Sequence, residues 1–267
     1  MIRPPAVAGH FYSSNPKELA KNIDGYLAPG AMKQKAIGCV VPHAGYMYSG
    51  HVAGAVYCSV EIPSRLILIG PRHYPRGESL AILSDGSWAT PLGKAKIDSM
   101  LAAELKHEFP QLREDAVAHE QEHSLEVQIP FLQRLLGDFQ FVPIVLGTDR
   151  YGVLEELGHA VAKVVAAQSE AVLVIASSDM NHYESDAITR VKDERAIAPL
   201  LALDPRRLYD TVRAEGITMC GFAAAVAMLV AARDLSATES ELMGYATSGD
   251  INGDRERVVG YAGIVIR

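Results

Sequence analysis

Ala36-Ile37-Gly38-Cys39-Val40-Val41-Pro42-His43-Ala44-Gly45-Tyr46 is an uncharged run up to Pro42, and it places a histidine just past that proline. Such a run reads as a buried strand that delivers a polar side chain to the loop after it. The pattern recurs twice. Residues 66–69 run into Gly70-Pro71-Arg72-His73-Tyr74, and residues 171–176 run into Ser177-Ser178-Asp179-Met180-Asn181-His182-Tyr183. In open α/β sheets, ligands bind beyond the carboxyl ends of the strands, where the loops converge. His43, His73, Asp179 and His182 are therefore expected to face one crevice.

Further strands are predicted at residues 80–83, 139–146, 241–245 and 258–266. Helical patterns fall at 16–27, 50–60, 97–107, 124–136, 153–167, 187–203 and 221–233. Strands alternating with helices predict an α/β fold with a mixed, largely parallel sheet flanked by helices. At 267 residues with no repeat or linker, the chain reads as a single domain over residues 1–267. A net charge of −7 without clustered Lys and Arg argues against a nucleic-acid partner. Three scattered cysteines without a CxxC pair are no disulfide framework and fit a reducing, cytoplasmic setting. The N-terminus lacks the apolar stretch of a signal peptide. The uncharged run 216–232 falls short of the ~20 residues that span a bilayer. It reads as a buried helix, and no membrane association is expected.

Neutral imidazole is the commonest transition-metal ligand, so His43 and His73 in matching positions begin a metal shell. Ser177-Ser178-Asp179 with His182 reads either as a helix N-cap or as an Asp orienting an acid–base histidine. A Ser–His–Asp acyl-transfer site is disfavoured because Gly-x-Ser-x-Gly is absent. His119-Glu120-Gln121-Glu122-His123 matches the zinc-protease pattern, but no Gly-x-x-His follows it. Glu120 and Glu122 are better read as charges at a solvated helix N-terminus. His123 is kept as a site candidate. Cys39 and Cys58 lie within a predicted strand and helix and read as small buried residues. Cys220 precedes a helix, where the dipole would favour a thiolate able to bind metal.

The order of these blocks resembles one family. Arg3-Pro4-x-x-x-Ala8-Gly9-x-Phe11-Tyr12, Pro42-His43-Ala44-Gly45-Tyr46-x-Tyr48-Ser49-Gly50 and Gly70-Pro71-x-His73 come first. Glu122-His123-Ser124-Leu125-Glu126, Ser177-Ser178-Asp179-x-x-His182, Cys220-Gly221 and Tyr245-Ala246-x-Ser248 follow. Together they are similar to the Memo family, whose fold resembles the class III extradiol non-haem iron dioxygenases. The resemblance implies His43, His73 and Cys220 as metal ligands and His182 as acid–base residue. It places Asp179 and His123 in the same pocket as catalytic candidates. The metal implied is iron first, with copper or zinc as alternatives, and the substrate is an unknown small molecule. Bacterial and archaeal relatives resemble the B component of the AmmeMemoRadiSam system, implying radical-SAM and AMMECR-type partners. Cys220 stands where the dioxygenases carry a carboxylate, and thiolate makes a softer site. Two functions follow: a metal-dependent oxidoreductase, or a non-catalytic adaptor or metal-handling protein using the same pocket.

Overall fold

The computed structural model describes residues 1–27 and 32–267. The chain opens with β1 (Ile2–Arg3), α1 (Pro16–Tyr26), β2 (Gly38–Val41), α2 (Tyr46–Ser59) and β3 (Arg65–Pro71). It continues through β4 (Leu80–Ile82), β5 (Ser87–Thr90), β6 (Gly93–Ile97), α3 (Ser99–Glu108), β7 (Arg113–Glu114) and α4 (Val117–Glu120). A 3-10 turn at Glu126–Gln128 leads to α5 (Ile129–Leu136), β8 (Gln140–Leu146), α6 (Tyr151–Ala166) and β9 (Val172–Ser177). The last stretch holds β10 (His182–Glu184), α7 (Asp186–Leu201), α8 (Pro205–Ala214), α9 (Phe222–Asp234), β11 (Ser240–Thr247), α10 (Ser248–Asn252) and β12 (Val258–Ile266).

One twelve-stranded sheet runs in the order β1-β5-β6-β8-β3-β9-β2-β12-β10, with β11 also on β12. Its centre is parallel: β8, β3, β9 and β2 all run the same way, and β12 closes it antiparallel. Parallel strands covered on both faces need apolar residues at every position, and β2 and β9 are buried throughout. Val40, Ile67, Ile69 and Val174 point to a core built with α3, α6, α8 and α9. Their neighbours Cys39, Val41, Leu66, Leu68 and Leu173 point to the opposite core, built with α1, α2 and α5. That alternation is the period-two side-chain rule applied to a doubly covered sheet.

The run 216–232 ends in α9, whose residues 223–232 are all buried. It packs so closely on α6 that a Cβ on Gly158 would stand 2.5 Å from Val230 Cβ and 2.6 Å from the Ala227 carbonyl. Small side chains here serve helix packing. Among the described residues, no helix is long and apolar enough to cross a membrane.

Each of the seven expected strands and seven expected helices has a counterpart, with some boundaries moved. The helix expected from residue 50 begins at Tyr46, whose N–H is satisfied by the Phe11 carbonyl at 2.8 Å instead of a capping side chain. The β5–β6 hairpin and α8 were not expected. The hairpin strands are short, with few apolar positions among Lys and Thr, and α8 carries a narrow apolar face of Leu208 and Val212 among charged residues.

The sheet fixes the site. In the parallel registers Val41 lies beside Ser177 and Ile69 beside Ala176. The chain beyond β2, β3 and β9 therefore leaves one edge of the sheet, carrying His43, His73 and Asp179.

Candidate metal centre

His43 is 2% exposed and anchored at both ends of its residue. Its backbone N–H donates to Asp179 Oδ1 at 2.7 Å, and its Nδ1 lies 3.0 Å from Ser177 Oγ. Ser177 donates its only proton to the Ser124 carbonyl at 2.6 Å and receives Gln128 Nε2 at 2.9 Å. The serine oxygen can then only accept from His43, so Nδ1 carries the proton and Nε2 keeps a free lone pair. Burial, reinforced by the nearby His123 and His73, holds the His43 imidazole well below its usual pKa, and it stays neutral.

His73 follows the same logic. Glu122 accepts from its backbone N–H at 2.6 Å and from Nδ1 at 2.9 Å, again leaving Nε2 free. Glu122 is 1% exposed. Burial alone would raise its carboxyl, but the His73 contact and the Ser124 N–H outweigh this and hold it down to about 2. The expectation of a solvated Glu122 is thus overturned. Glu120 does remain exposed. Metal-bound histidines ordinarily donate their second N–H to a carboxylate or other oxygen. His43 and His73 are both held in that way.

One ring nitrogen from each of His43, His73 and His123 lies within 4.8 Å of the others. The His123 ring stacks on His73 at 4.5 Å and leans on Phe11 at 4.7 Å. Its Nδ1 is 3.8 Å from Glu122, beyond hydrogen-bond range. Packing places this ring, and among the described residues no hydrogen-bond acceptor fixes its tautomer.

Cys220 lies outside that trio but beside His43, with Sγ 3.2 Å from His43 Nε2 and 3.3 Å from the donating Asp179 N–H. The thiolate expected from its position before α9 is not favoured by its surroundings. Burial, and then the Asp179 charge, push the thiol up. A metal would have to displace that proton. Burial likewise pushes the Asp179 carboxyl above the usual carboxylate range.

Asp179 caps no helix, since β10 follows it. Nor does it orient His182. Thr218 does: its carbonyl lies 2.9 Å from His182 Nδ1, and its Oγ1 accepts the His182 N–H at 2.7 Å. Tyr183 next to it adopts φ +63°, a conformation unusual for an aromatic residue. All six candidates, His43, His73, His123, Asp179, His182 and Cys220, line one cavity of about 560 Å³, with Phe11, Tyr183 and Tyr261 at its walls. Imidazole and thiol donors of this kind suit iron, copper or zinc.

His119 stands apart. It is fully buried in a four-residue helix, edge-on to Trp88, and neither ring nitrogen has a partner among the described residues. His119→Ala is expected to leave metal affinity within about twofold, while truncating a buried side chain lowers stability. Competition with a chelator and a thermal melt measure the two effects separately.

Beneath the pocket, Asp193 accepts from the Asn181 N–H at 2.8 Å and from Tyr245 OH at 2.8 Å. Burial raises its carboxyl to about 7 against those hydrogen bonds and the Arg190 charge. The unfolded chain releases this proton near pH 4, the folded one near 7. Stability contributed by the protonated form is therefore lost as pH rises between them. Relative to wild type, Asp193→Asn is expected to gain stability from pH 4 to pH 8, as read by denaturation midpoints at each pH.

Residues 3–265 match the family model described as Memo-like protein. A MEMO1 family protein of Pyrobaculum aerophilum is 40% identical over 276 residues, covering 99% of this chain and 98% of that one. Similar relatives occur in Methanopyrus kandleri, at 39% identity over 100% of this chain and 99% of that one, and in Thermoplasma volcanium, at 40% over 99% and 98%. Among solved structures, an uncharacterized protein of Escherichia coli K12 is similar in fold, with a TM-score of 0.53 and 12% identity. The match covers 78% of this chain and 88% of that one.

Proposed function

This chain belongs to the Memo-like protein family, and from that premise we propose that it is a metal-dependent oxidoreductase acting on a small molecule. His43 and His73 supply Nε2, Cys220 supplies Sγ, and iron is the preferred metal, with copper or zinc as alternatives. The observation that carries this reading is the pair of imidazoles whose Nδ1 protons are each taken by an oxygen acceptor, beside a thiol 3.2 Å from His43 Nε2. A bound redox metal would supply electron transfer and an open position for substrate.

The chain's own residues do the rest. With Nδ1–H engaged by the Thr218 carbonyl, His182 presents a free Nε2 to the cavity and acts as the proton acceptor for a bound substrate. Phe11, Tyr183 and Tyr261 line the cavity with aromatic surface against which a substrate packs. Asp179 fixes the His43 backbone, and His123 packs against His73.

Oxygen uptake by the iron-loaded protein with a panel of catechols tests the reading. Uptake that disappears in His182→Gln, with iron still bound, is the expected result. No uptake from any catechol, with iron tightly held, would overturn it. A second reading, metal handling alongside radical-SAM and AMMECR-type partners, is favoured by Cys220, a soft ligand suited to Cu(I).

A further inference from the structure

We infer that Asn181 is a positioning residue that sets the tautomer of His182 by clamping Thr218. Asn181 is fully buried, and its side-chain hydrogen-bonding capacity is used in full. Oδ1 accepts from Thr218 N and from Thr218 Oγ1, both at 3.1 Å. Nδ2 donates to Glu184 Oε2 at 2.7 Å and to Thr189 Oγ1 at 3.3 Å. Its own N–H is held by Asp193 and its carbonyl by the Gly260 N–H at 3.0 Å. A Cβ on Gly260 would stand 1.8 Å from Asp193 Oδ2, so this packing leaves no slack.

The consequence passes through Thr218. Its hydroxyl has one proton, which goes to Asn181 Oδ1, and its oxygen is then free to accept the His182 N–H. With N and Oγ1 both held by Asn181, Thr218 sits with its carbonyl 2.9 Å from His182 Nδ1. A carbonyl accepts and never donates, so Nδ1 keeps the proton and Nε2 is the lone pair offered to the cavity. A histidine side chain free in water prefers the opposite tautomer. The buried amide therefore decides which nitrogen of an active-site histidine can take a proton, although it never touches the cavity itself. The functional value of this rests on the proposed role of His182; the tautomer does not.

Long-range nitrogen–proton spectra of the metal-free protein, at a pH where His182 is neutral, read the tautomer directly, with His182→Gln identifying the signal. Wild type and Thr218→Ser, which keeps the hydroxyl that Asn181 holds, should show the proton on Nδ1. Asn181→Leu, which has no acceptor, should show a shift of population towards Nε2–H. If Asn181→Leu does not fold, Thr218→Val takes its place, and Thr218→Ser is its restoring partner. A proton on Nε2 in wild type overturns the inference. So does an unchanged tautomer in the folded Leu or Val variant, or a changed one in the Ser variant. The spectra need no metal, so a wrong tautomer counts against this network alone, and failure to bind metal counts against the proposed centre alone.

Discussion

Arg3→Met is expected to lower the stability of the protein by about 3–5 kcal/mol, because it leaves a buried carboxylate without its counter-charge. Arg3 is 6% exposed, and its Nη1 donates to Glu126 Oε2 at 2.6 Å. The guanidinium also lies 4.2 Å above the Trp88 ring. Nε and Nη2 donate to the carbonyls of His119 and Glu122, each at 2.7 Å. Glu126 in turn gathers the N-terminal segment, accepting from Ala6 N, Val7 N and Tyr12 OH. One ion pair thus ties the start of the chain to the loop that carries Glu122 and His123. Chemical denaturation should show part of the loss recovered in the double variant Arg3→Met, Glu126→Gln, since the stranded charge is then gone. A loss below about 1 kcal/mol would mean that the pair behaves like an exposed one.

Glu122→Gln is expected to weaken metal binding by about 10–100-fold, although Glu122 need never touch the ion. Three donors converge on this carboxylate: His73 N, His73 Nδ1 and Ser124 N. A glutamine must turn its amide N–H₂ towards at least one of them, which frees His73 to rotate or change tautomer. His73→Ala and His43→Ala should lose at least as much. His123→Ala should lose less, because among the described residues no hydrogen bond aims its ring. Anaerobic competition with a chelator gives all four affinities. Equal affinity in Glu122→Gln and wild type would separate Glu122 from the metal site.

Much of this was legible before the fold was known, for identifiable reasons. Buried parallel strands need unbroken apolar runs, so β2, β3 and β9 stood out, and His43, His73 and Asp179 could be placed at one edge from their spacing past those strands. Glu122 was misread because a carboxylate near a helix start is usually solvated. Its burial depends on a histidine 49 residues away in sequence. Thr218 carries no sequence signal for orienting His182, since its carbonyl does the work and every residue has one. Cys220 was placed correctly in the pocket. Its protonation was not, because proximity to α9 is visible in sequence and desolvation beside Asp179 is not.

The central claim is that His43, His73 and Cys220 hold one metal ion. X-ray absorption of the anaerobically iron-loaded protein tests it most directly. The expected spectrum has a sulfur scatterer together with nitrogen donors in the iron shell. The sulfur should vanish in Cys220→Ser and persist in His123→Ala. An iron shell of nitrogen and oxygen alone in wild type, unchanged in Cys220→Ser and altered in His123→Ala, would contradict it.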